Sequence, residues 1–226
     1  MKYVDQFLKQ LDEQIQEKHL LKHVFYQAWS EGKLSQDCLK EYAIEYYAHV
    51  KAFPTYLSAL HAHTEDAKTR KGILQNLIEE EAGSPNHPEL WKSFAMSLGA
   101  SEEEIDTHKP CSEIETLIQT FRTICREGHT AEGLAALYAY ESQIPSICIS
   151  KIDGLKKHYG MQDPVSWRYF SVHIAADEEH AQMERELLGL HISSEKASHA
   201  HFAAQQILDA LWNFLTHISH KHQIAC

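Results

Sequence analysis

The sequence predicts an all-α fold, and three observations support this prediction. Apolar residues recur at helical spacing along almost all of the 226 residues. Only nine glycines and six prolines interrupt the chain. Neither β-type alternation nor a repeat of fixed period occurs in the sequence. Helices of the predicted lengths, joined by short links, pack as a compact bundle.

The first predicted helices are separated by turn and capping residues. Gly32 follows the second helix, and residues 83–85 (Gly-Ser-Pro) end the fourth. Ser101 and Glu104 have the spacing of a capping box, which predicts a further short turn of helix. The predicted helices span residues 2–17, 19–31, 35–62, 67–82, 87–98, 111–127, 131–158, 164–190 and 194–220.

The later helices have similar boundaries. Gly128 ends one helix and Thr130 can cap the next, while Gly160 and Pro164 separate the last two long helices. Length and composition show no seam between two units. We therefore expect residues 1–226 to form a single domain, which ends in a C-terminal helix and a frayed tail.

Charge and composition exclude several classes of partner. The 21 basic and 32 acidic residues give a net charge of −11, and no basic patch occurs. Nucleic acid and anionic membrane surfaces are therefore not expected partners. No apolar run is long enough to span a membrane, and the N-terminus lacks the apolar core of a signal peptide. Five cysteines without C-x-x-C spacing, Cys226 among them, indicate reduced thiols and a cytoplasmic location.

One helical stripe carries three metal-ligand residue types. His173, Asp177 and His180 are spaced i, i+4 and i+7, so they point in one direction from a helix and can meet one ion. Tyr169 lies on the same stripe. Glu184 also falls on it, as an acid that could orient the ligands. A lone histidine or an acidic run is usually structural, but the combination favours a metal site.

Three further residues are candidate ligands. Glu141 lies on a face predicted to point inward, where a carboxylate is costly unless it is paired or bound to a cation. Spacing alone does not separate Glu80 from Glu79 and Glu81. His87 lies beyond the Gly-Ser-Pro break, so helix geometry does not fix its position relative to Glu80.

The six candidates comprise three carboxylates and three imidazoles, with no thiolate cluster. This donor set within a helical bundle suits a pair of iron or manganese ions, although the residue types leave zinc open. Other chemistry has weaker signals, because the chain has neither a glycine-rich phosphate loop nor a G-x-S-x-G motif. Cys148, between two isoleucines, is more typical of a small core residue than of a nucleophile.

Four long strings carry a resemblance to a known family. They are H-x-F-Y-x-x-W-S-x-G (residues 23–32), H-V-K-A-F-P-T-Y-L-S-A-L-H (49–61), P-N-H-P-E-L-W-K (85–92) and A-A-L-Y-A-Y-E-S-Q-I-P (135–145). The chain resembles the haem-oxygenase-like dimetal oxidases, which are related to the TenA and PqqC type of fold. Within them it is similar to the chlamydial death-domain-associated group of self-sacrificing p-aminobenzoate synthases.

The resemblance implies a haem-oxygenase-like seven-helix bundle without haem. It also implies two transition-metal ions, iron or manganese or both, with dioxygen and a reductant as co-substrates. The implied ligands are Glu80, His87, Glu141, His173, Asp177 and His180. This set selects Glu80 from the three adjacent glutamates.

The activity implied by the resemblance is the synthesis of p-aminobenzoate for folate from the protein's own side chains, with no external organic substrate. Tyr26 matches the tyrosine whose ring is used, and Lys151 matches the lysine implicated as the amino donor. Tyr42 and Tyr140 match tyrosines that could relay the oxidation. Spacing alone would not select Lys151, since it lies ten residues beyond Glu141.

Two other functions stay open from the sequence. A dimetal oxidase could act on an external small amine, amino acid or fatty acid. Alternatively, the chain could be an interaction module for host death-domain proteins, although no recognition motif for such a partner is evident. By analogy of fold, a homodimer is also expected.

Overall fold

The computed structural model describes residues 2–224, so the prediction about Cys226 lies outside the described residues. Helix accounts for 82% of the structure and no strand occurs in the described part, which confirms the all-α prediction. The α-helices are α1 Lys2–Glu17, α2 Val24–Ser30, α3 Gln36–His63, α4 Ala67–Glu81, α5 His87–Ser97, α6 Glu102–Thr107, α7 Ser112–Glu127, α8 Thr130–Glu141, α9 Ile144–His158, α10 Arg168–His191 and α11 Ala197–Lys221. Within residues 2–224, no helix has both the length and the apolar character needed to cross a membrane.

The prediction of one continuous helix over residues 131–158 is wrong. The structure ends α8 at Glu141 and begins α9 at Ile144. Pro145 causes the break, because proline has no N–H to donate and its ring clashes with the carbonyl group four residues earlier, which is that of Glu141. Glu141 is therefore the last residue of its helix.

Two other predicted helices are interrupted near their starts. The segment predicted over residues 19–31 consists of a 3-10 helix, Leu20–Lys22, followed by α2. His23 ends the first and caps the second, since its Nδ1 accepts the N–H of Phe25 at 3.1 Å. The segment predicted over residues 164–190 likewise begins with a 3-10 helix, Pro164–Trp167, before α10.

The predicted capping box at Ser101 is confirmed at the start of α6. The side chain of Ser101 accepts the N–H of Glu104 at 3.1 Å, and the Glu104 carboxylate accepts the N–H of Ser101 at 2.7 Å. Two otherwise unpaired N–H groups of the first turn are thereby satisfied.

The helices that carry the candidate residues pack against one another. The long helix α3 packs against α4, α5 and α7, while α10 packs against α8 and α9, and α11 against α7 and α8. These contacts bring the end of α4, the start of α5 and the end of α8 to the middle of α10. Aromatic side chains fill the adjacent core, with Trp29, Trp91, Tyr42 and Tyr56 fully buried.

Helix α8 approaches α3 closely at a glycine. A Cβ atom added to Gly133 would lie 2.5 Å from Cδ1 and 2.9 Å from Cδ2 of Leu60. No real Cβ atom makes such contacts, so the glycine sets the distance between the two helices. By contrast, a Cβ at Gly189 of α10 would have Val4 Cγ1 as its nearest neighbour, at an ordinary 3.4 Å.

We expect Gly133→Ala to lower the free energy of unfolding by about 1–3 kcal/mol, because an added methyl group overpacks a filled core. The measurement is urea unfolding followed by circular dichroism. The matched control is Gly189→Ala, which should be neutral or stabilising by about 0.5–1 kcal/mol since alanine is the better helix former. Equal effects of the two substitutions would contradict the close approach.

Candidate metal centre

The six candidate ligands converge in two groups of three inside the bundle. Glu80, His87 and His173 form one group, and Glu141, Asp177 and His180 form the other. Within each group, every residue offers a ligand atom within 4.8 Å of those of the other two. None of the six residues is more than 8% exposed. The structure thus brings together all six residues that the sequence analysis named.

Local structure explains how each residue reaches this position. The stripe predicted on α10 faces the interior along its whole length, from Tyr169 through Asp177 to Glu184. Glu80 lies next to the last residue of α4, and Glu81 beside it is exposed. His87 is the first residue of α5 and follows the capping residue Asn86, whose side chain accepts the N–H at the third position of the helix.

The polar atoms of this cluster fit a bound cation. Within residues 2–224, twelve buried side-chain atoms have no hydrogen-bond partner, and six of them are in this cluster. These six are His87 Nδ1, His180 Nδ1, Asp177 Oδ2, Glu141 Oε2 and both carboxylate oxygens of Glu184. Buried polar groups are normally hydrogen-bonded, so this concentration of unpaired donor atoms fits residues that bind a cation.

The distances between these atoms support the same conclusion. Nδ1 of His87 lies 2.9 Å from Oε1 of Glu80, and Nδ1 of His180 lies 3.2 Å from Oε1 of Glu141 and 3.4 Å from Oδ1 of Asp177. The two nitrogens nevertheless lack hydrogen-bond geometry. Nitrogen and oxygen donors that converge at these distances with poor hydrogen-bond geometry fit ligands placed around an ion.

Two of the histidine rings are oriented by a contact at the ring nitrogen that points away from the other ligands. Nδ1 of His173 lies 2.7 Å from the carbonyl oxygen of Tyr169 and donates to it, which leaves Nε2 free to bind a metal. Nε2 of His180 lies 2.9 Å from Oε2 of Glu79, which leaves Nδ1 facing the cluster. Such contacts fix the tautomer and ring orientation of a metal-binding histidine.

Two residues that orient these ligands, Asn76 and Glu79, are not among the site residues predicted from the sequence. Asn76 donates from Nδ2 to Oε1 of Glu141 at 2.9 Å, and Glu79 holds His180 from outside. Asn76 precedes Glu80 by four residues, so helical spacing could have found it. From the sequence, Glu79 is only an alternative to Glu80.

Burial and the interactions between neighbouring charges dominate the electrostatics of the ligand cluster. Burial, together with the nearby charges of Glu141 and Glu80, raises the pKa of Asp177 to about 8. Burial and the charge of Glu141 raise the pKa of Glu184 far above its ordinary value. Burial opposes the protonation of His180, yet its contacts with Asp177 and Glu141 raise its pKa to about 11. Without a cation, the cluster must therefore hold protons to limit its negative charge.

The four candidate catalytic residues lie in an adjoining cluster of buried aromatic side chains. The hydroxyl groups of Tyr26 and Tyr42 are 3.1 Å apart, and Lys151 Nζ donates to the Tyr42 hydroxyl at 2.8 Å. Tyr140 lines the same small cavity as Glu80, Glu141, His173 and Asp177. Tyr42 therefore connects Tyr26 and Lys151 through two hydrogen bonds. Tyr140 lies beside the candidate metal ligands.

Tyr46 joins these two parts, and the sequence analysis did not select it. Its hydroxyl donates to that of Tyr140 at 3.1 Å, and its ring stacks on that of Tyr42 with centroids 5.6 Å apart and planes 18° from parallel. Tyr46 follows Tyr42 by four residues in α3, so both lie on one inward stripe. That spacing was the available signal.

Lys151 is buried among rings that keep water away from its amine. The side chain is 4% exposed, and Nζ lies 4.8 Å from the ring centroid of Phe170 and 5.4 Å from that of Tyr26. Burial lowers the pKa of Lys151 to about 7. The amine is thus available in its neutral, nucleophilic form near physiological pH.

A fold of this kind, with clustered buried carboxylates and imidazoles, defines the haem-oxygenase-like redox enzymes. Residues 40–212 match the family Haem_oxygenas_2, described as iron-containing redox enzymes, and the chain belongs to this family.

Curated relatives and solved structures agree with this assignment. The chain is 48% identical over 210 residues to the 4-aminobenzoate synthase of Chlamydia pneumoniae, which covers 93% of each chain. It is 45% identical over 226 residues to the 4-aminobenzoate synthase of Nitrosomonas europaea, covering 96% of this chain and 92% of the relative.

A TenA homologue from Pseudomonas syringae has a TM-score of 0.81 at 17% identity, with coverage of 94% of this chain and 92% of that one. A CADD-like protein of unknown function from Nostoc punctiforme has a TM-score of 0.75 at 15% identity, with coverage of 98% and 99%. These structures show the fold alone.

We expect His87→Gln to lower the metal content of the iron-loaded protein by about one ion per chain, since one triad loses a ligand while the other stays intact. Metal is measured by inductively coupled plasma mass spectrometry after desalting. The matched control is His63→Gln, because His63 is exposed at the end of α3. Unchanged metal content in His87→Gln would argue against two triads that each hold an ion.

We expect Lys151→Met to change how stability depends on pH. Because the folded pKa of about 7 lies below the ordinary 10.5, the unfolded chain binds more protons between these values. The unfolding free energy of the wild type therefore rises with pH over this range, by up to about 5 kcal/mol for the full difference in pKa. The variant lacks this dependence. Its stability relative to the wild type should be greatest near pH 7 and should fall towards pH 10.

The measurement for this prediction is urea unfolding of both metal-free proteins between pH 7 and pH 10. The control is Lys157→Met, which removes an exposed lysine from the same helix and should give a difference that is nearly flat with pH. A flat difference for Lys151→Met would mean that the buried amine stays charged.

Proposed function

We propose that this chain is a dioxygen-dependent dimetal oxidase that makes 4-aminobenzoate (p-aminobenzoate) from its own side chains. Tyr26 supplies the ring and Lys151 the nitrogen. The observation that carries the proposal is the buried, hydrogen-bonded set of Tyr26, Tyr42 and Lys151. The product consists of a para-substituted benzene ring, a carboxylate and an amine, and the ring and the amine are both present here inside the protein. Four curated 4-aminobenzoate synthases at 43–48% identity support the product.

The six clustered carboxylates and imidazoles are the residues that would hold the metal. Two groups of three ligands favour two ions, and a mixed oxygen and nitrogen donor set without thiolate suits iron or manganese. The description of the family as iron-containing supports iron. When bound, such a pair supplies oxidising power by activating dioxygen with electrons from an external reductant.

The tyrosines provide a route for an electron and a proton from Tyr26 to the ligand cluster. Burial raises the pKa of Tyr26, Tyr42, Tyr46 and Tyr140, so each phenol stays protonated until it is oxidised. Loss of an electron from a buried phenol is therefore coupled to loss of its proton. The O···O contacts of 3.1 Å between Tyr26 and Tyr42 and between Tyr46 and Tyr140 give that proton an acceptor at two steps. The stacked rings of Tyr42 and Tyr46 connect the two pairs.

Lys151 has the position and the protonation state needed for an amino donor. Its Nζ lies 5.4 Å from the centroid of the Tyr26 ring, and burial lowers the pKa of Lys151 to about 7. A neutral amine carries the lone pair needed to form a C–N bond to the ring. In this proposal the phenolic oxygen of Tyr26 leaves as water, and the Cα–Cβ bond of Tyr26 and the Cε–Nζ bond of Lys151 break. Dioxygen, with electrons from the external reductant, would supply the oxidation of Cβ to the carboxylate. The same aromatic enclosure keeps bulk water from an oxidised ring. Since the side chains are consumed, each chain yields about one product molecule or fewer.

The cavity at the ligand cluster favours an internal substrate over an external one. It is lined by Glu80, Tyr140, Tyr169 and the apolar side chains of Val50 and Phe53, and it is small. An oxidase acting on an added amine, amino acid or fatty acid would need space for that molecule, and it would turn over more than once per chain.

Several expectations from the sequence stay predictions. They are the single domain over residues 1–226, the cytoplasmic location, the homodimer, and association with host death-domain proteins. The roles of the ten site residues stand as part of the proposal made here.

We expect Tyr26→Phe to form no 4-aminobenzoate while it binds metal normally, because it removes the phenol and leaves the ligand cluster intact. The protein is labelled with ring-¹³C tyrosine and ε-¹⁵N lysine, loaded with iron or manganese, and incubated with reductant and air. Mass spectrometry of the released aromatic amine should show the labelled ring and the labelled nitrogen for the wild type only.

The matched control is Tyr47→Phe, which alters another buried tyrosine of α3 outside the hydrogen-bonded set. It should form product like the wild type. Normal product from Tyr26→Phe, or an unlabelled ring from the wild type, would remove the self-sacrifice proposal.

A further inference from the structure

A separate set of metal-ligating side chains lies where α7 begins and α11 approaches its end. Cys111 is at the N-cap position of α7 without a side-chain capping hydrogen bond, Glu113 is in the first turn of that helix, and His217 is on α11. Each offers a ligand atom within 4.8 Å of those of the other two. The three residues share no member with the candidate metal centre, and the proposed function assigns them no role.

The distance between two of these atoms is compatible with ligands bound to one ion. Nδ1 of His217 lies 3.2 Å from Oε2 of Glu113. Two oxygen or nitrogen ligands at about 2.0–2.1 Å from a tetrahedral zinc ion lie roughly 3.3 Å apart. Oε2 of Glu113 also accepts a hydrogen bond from Ser112 Oγ at 2.9 Å, which holds the carboxylate towards the histidine.

The surroundings leave room for a fourth ligand. All three residues are partly buried, and Glu113 and His217 also line a groove that is open to solvent. The other residues that line this groove are Ser112, Thr116, Ala210, Asn213, Thr216, His220 and Lys221. Water can therefore reach the fourth position of a tetrahedral site, as it does where three protein ligands hold zinc.

The nearby charges favour a cation. The N–H of Cys111 donates to Oε2 of Glu45 at 2.8 Å, which places a second carboxylate beside the thiol. The amine of Lys221, which also lines the groove, is already paired with Glu41. Two nearby histidines are also paired with carboxylates. His108 Nε2 lies 3.1 Å from Oε1 of Glu45, and His222 Nε2 lies 3.0 Å from Oε2 of Glu41.

We propose that Cys111, Glu113 and His217 bind one divalent cation of borderline softness, Zn²⁺, with a water molecule as the fourth ligand. One sulfur, one nitrogen and one oxygen ligand suit zinc better than a hard cation such as magnesium. Binding releases the thiol proton of Cys111 to solvent. The ion would link the start of α7 to α11, which also carries Phe214 against the rings of Tyr42 and Tyr46, at 5.9 and 5.7 Å.

Cobalt substitution tests this site separately from the candidate metal centre. Metal-free protein is titrated with Co²⁺, and the near-ultraviolet absorption from thiolate-to-cobalt charge transfer is recorded. The six ligands of the candidate metal centre include no thiolate and cannot give this band. We expect the band in the wild type, its loss on adding Zn²⁺, and its loss in Cys111→Ser and His217→Gln.

Two variants serve as controls. Both Cys226→Ser and His199→Gln should keep the band. His199 is an exposed histidine of α11, and its Nδ1 lies 3.4 Å from Oε1 of Glu132. A wild type without the band, a band that survives Cys111→Ser, or a band lost in Cys226→Ser would overturn the proposal.

A second measurement decides the case if Cys111→Ser does not fold. The metal-free wild type is alkylated with iodoacetamide with and without Zn²⁺, and the modified cysteines are located by peptide mass spectrometry. Zn²⁺ should protect Cys111. Equal alkylation of Cys111 in both samples would overturn the proposal.

Discussion

The whole interior of this protein depends on the burial of Glu80, Glu141 and Asp177 next to one another. A carboxylate in an apolar core costs several kcal/mol, and neighbouring carboxylates repel each other strongly at low dielectric. Only a cation or bound protons can offset that charge. Helices α4, α8 and α10 each contribute one of these acids to the ligand cluster. The outer contacts of Asn76 and Glu79 hold the ligands in place. The packing of the bundle and the position of the candidate metal centre are thus parts of one arrangement.

Burial away from water has a different effect on the neighbouring aromatic cluster. It raises the pKa of the tyrosines and lowers that of Lys151, so phenols and amine are all favoured in their neutral forms. Neutral groups can share hydrogen bonds without ion pairing, as the contacts of Tyr42 with Tyr26 and Lys151 illustrate. Charge is therefore concentrated at the ligand cluster, while the adjoining region is suited to proton-coupled electron loss and bond formation.

Most properties that depend on one helix could be predicted from the sequence; the break at Pro145 and the places where separate segments meet could not. Periodicity predicted the all-α fold, most helix bounds, and the stripe from His173 to His180. It did not predict the break after Glu141, because apolar residues continue at helical spacing on both sides of Pro145. Spacing could not choose Glu80 or orient His87, since a loop separates them. Resemblance, not spacing, selected Lys151, whose approach to Tyr42 depends on how α9 packs against the rest of the bundle.

The burial of Tyr26 has a consequence for the lifetime of the polypeptide. Its side chain is 4% exposed and packs against Phe25 and Trp29, with ring centroids 5.3 and 6.4 Å away. Removing a buried aromatic ring typically costs about 3–5 kcal/mol, a large share of the stability of a folded domain. If the ring is given up as product, the spent chain is left with a hole beside its largest side chains. Such a chain would open more often and become an easier target for proteases, which would return its amino acids for new synthesis.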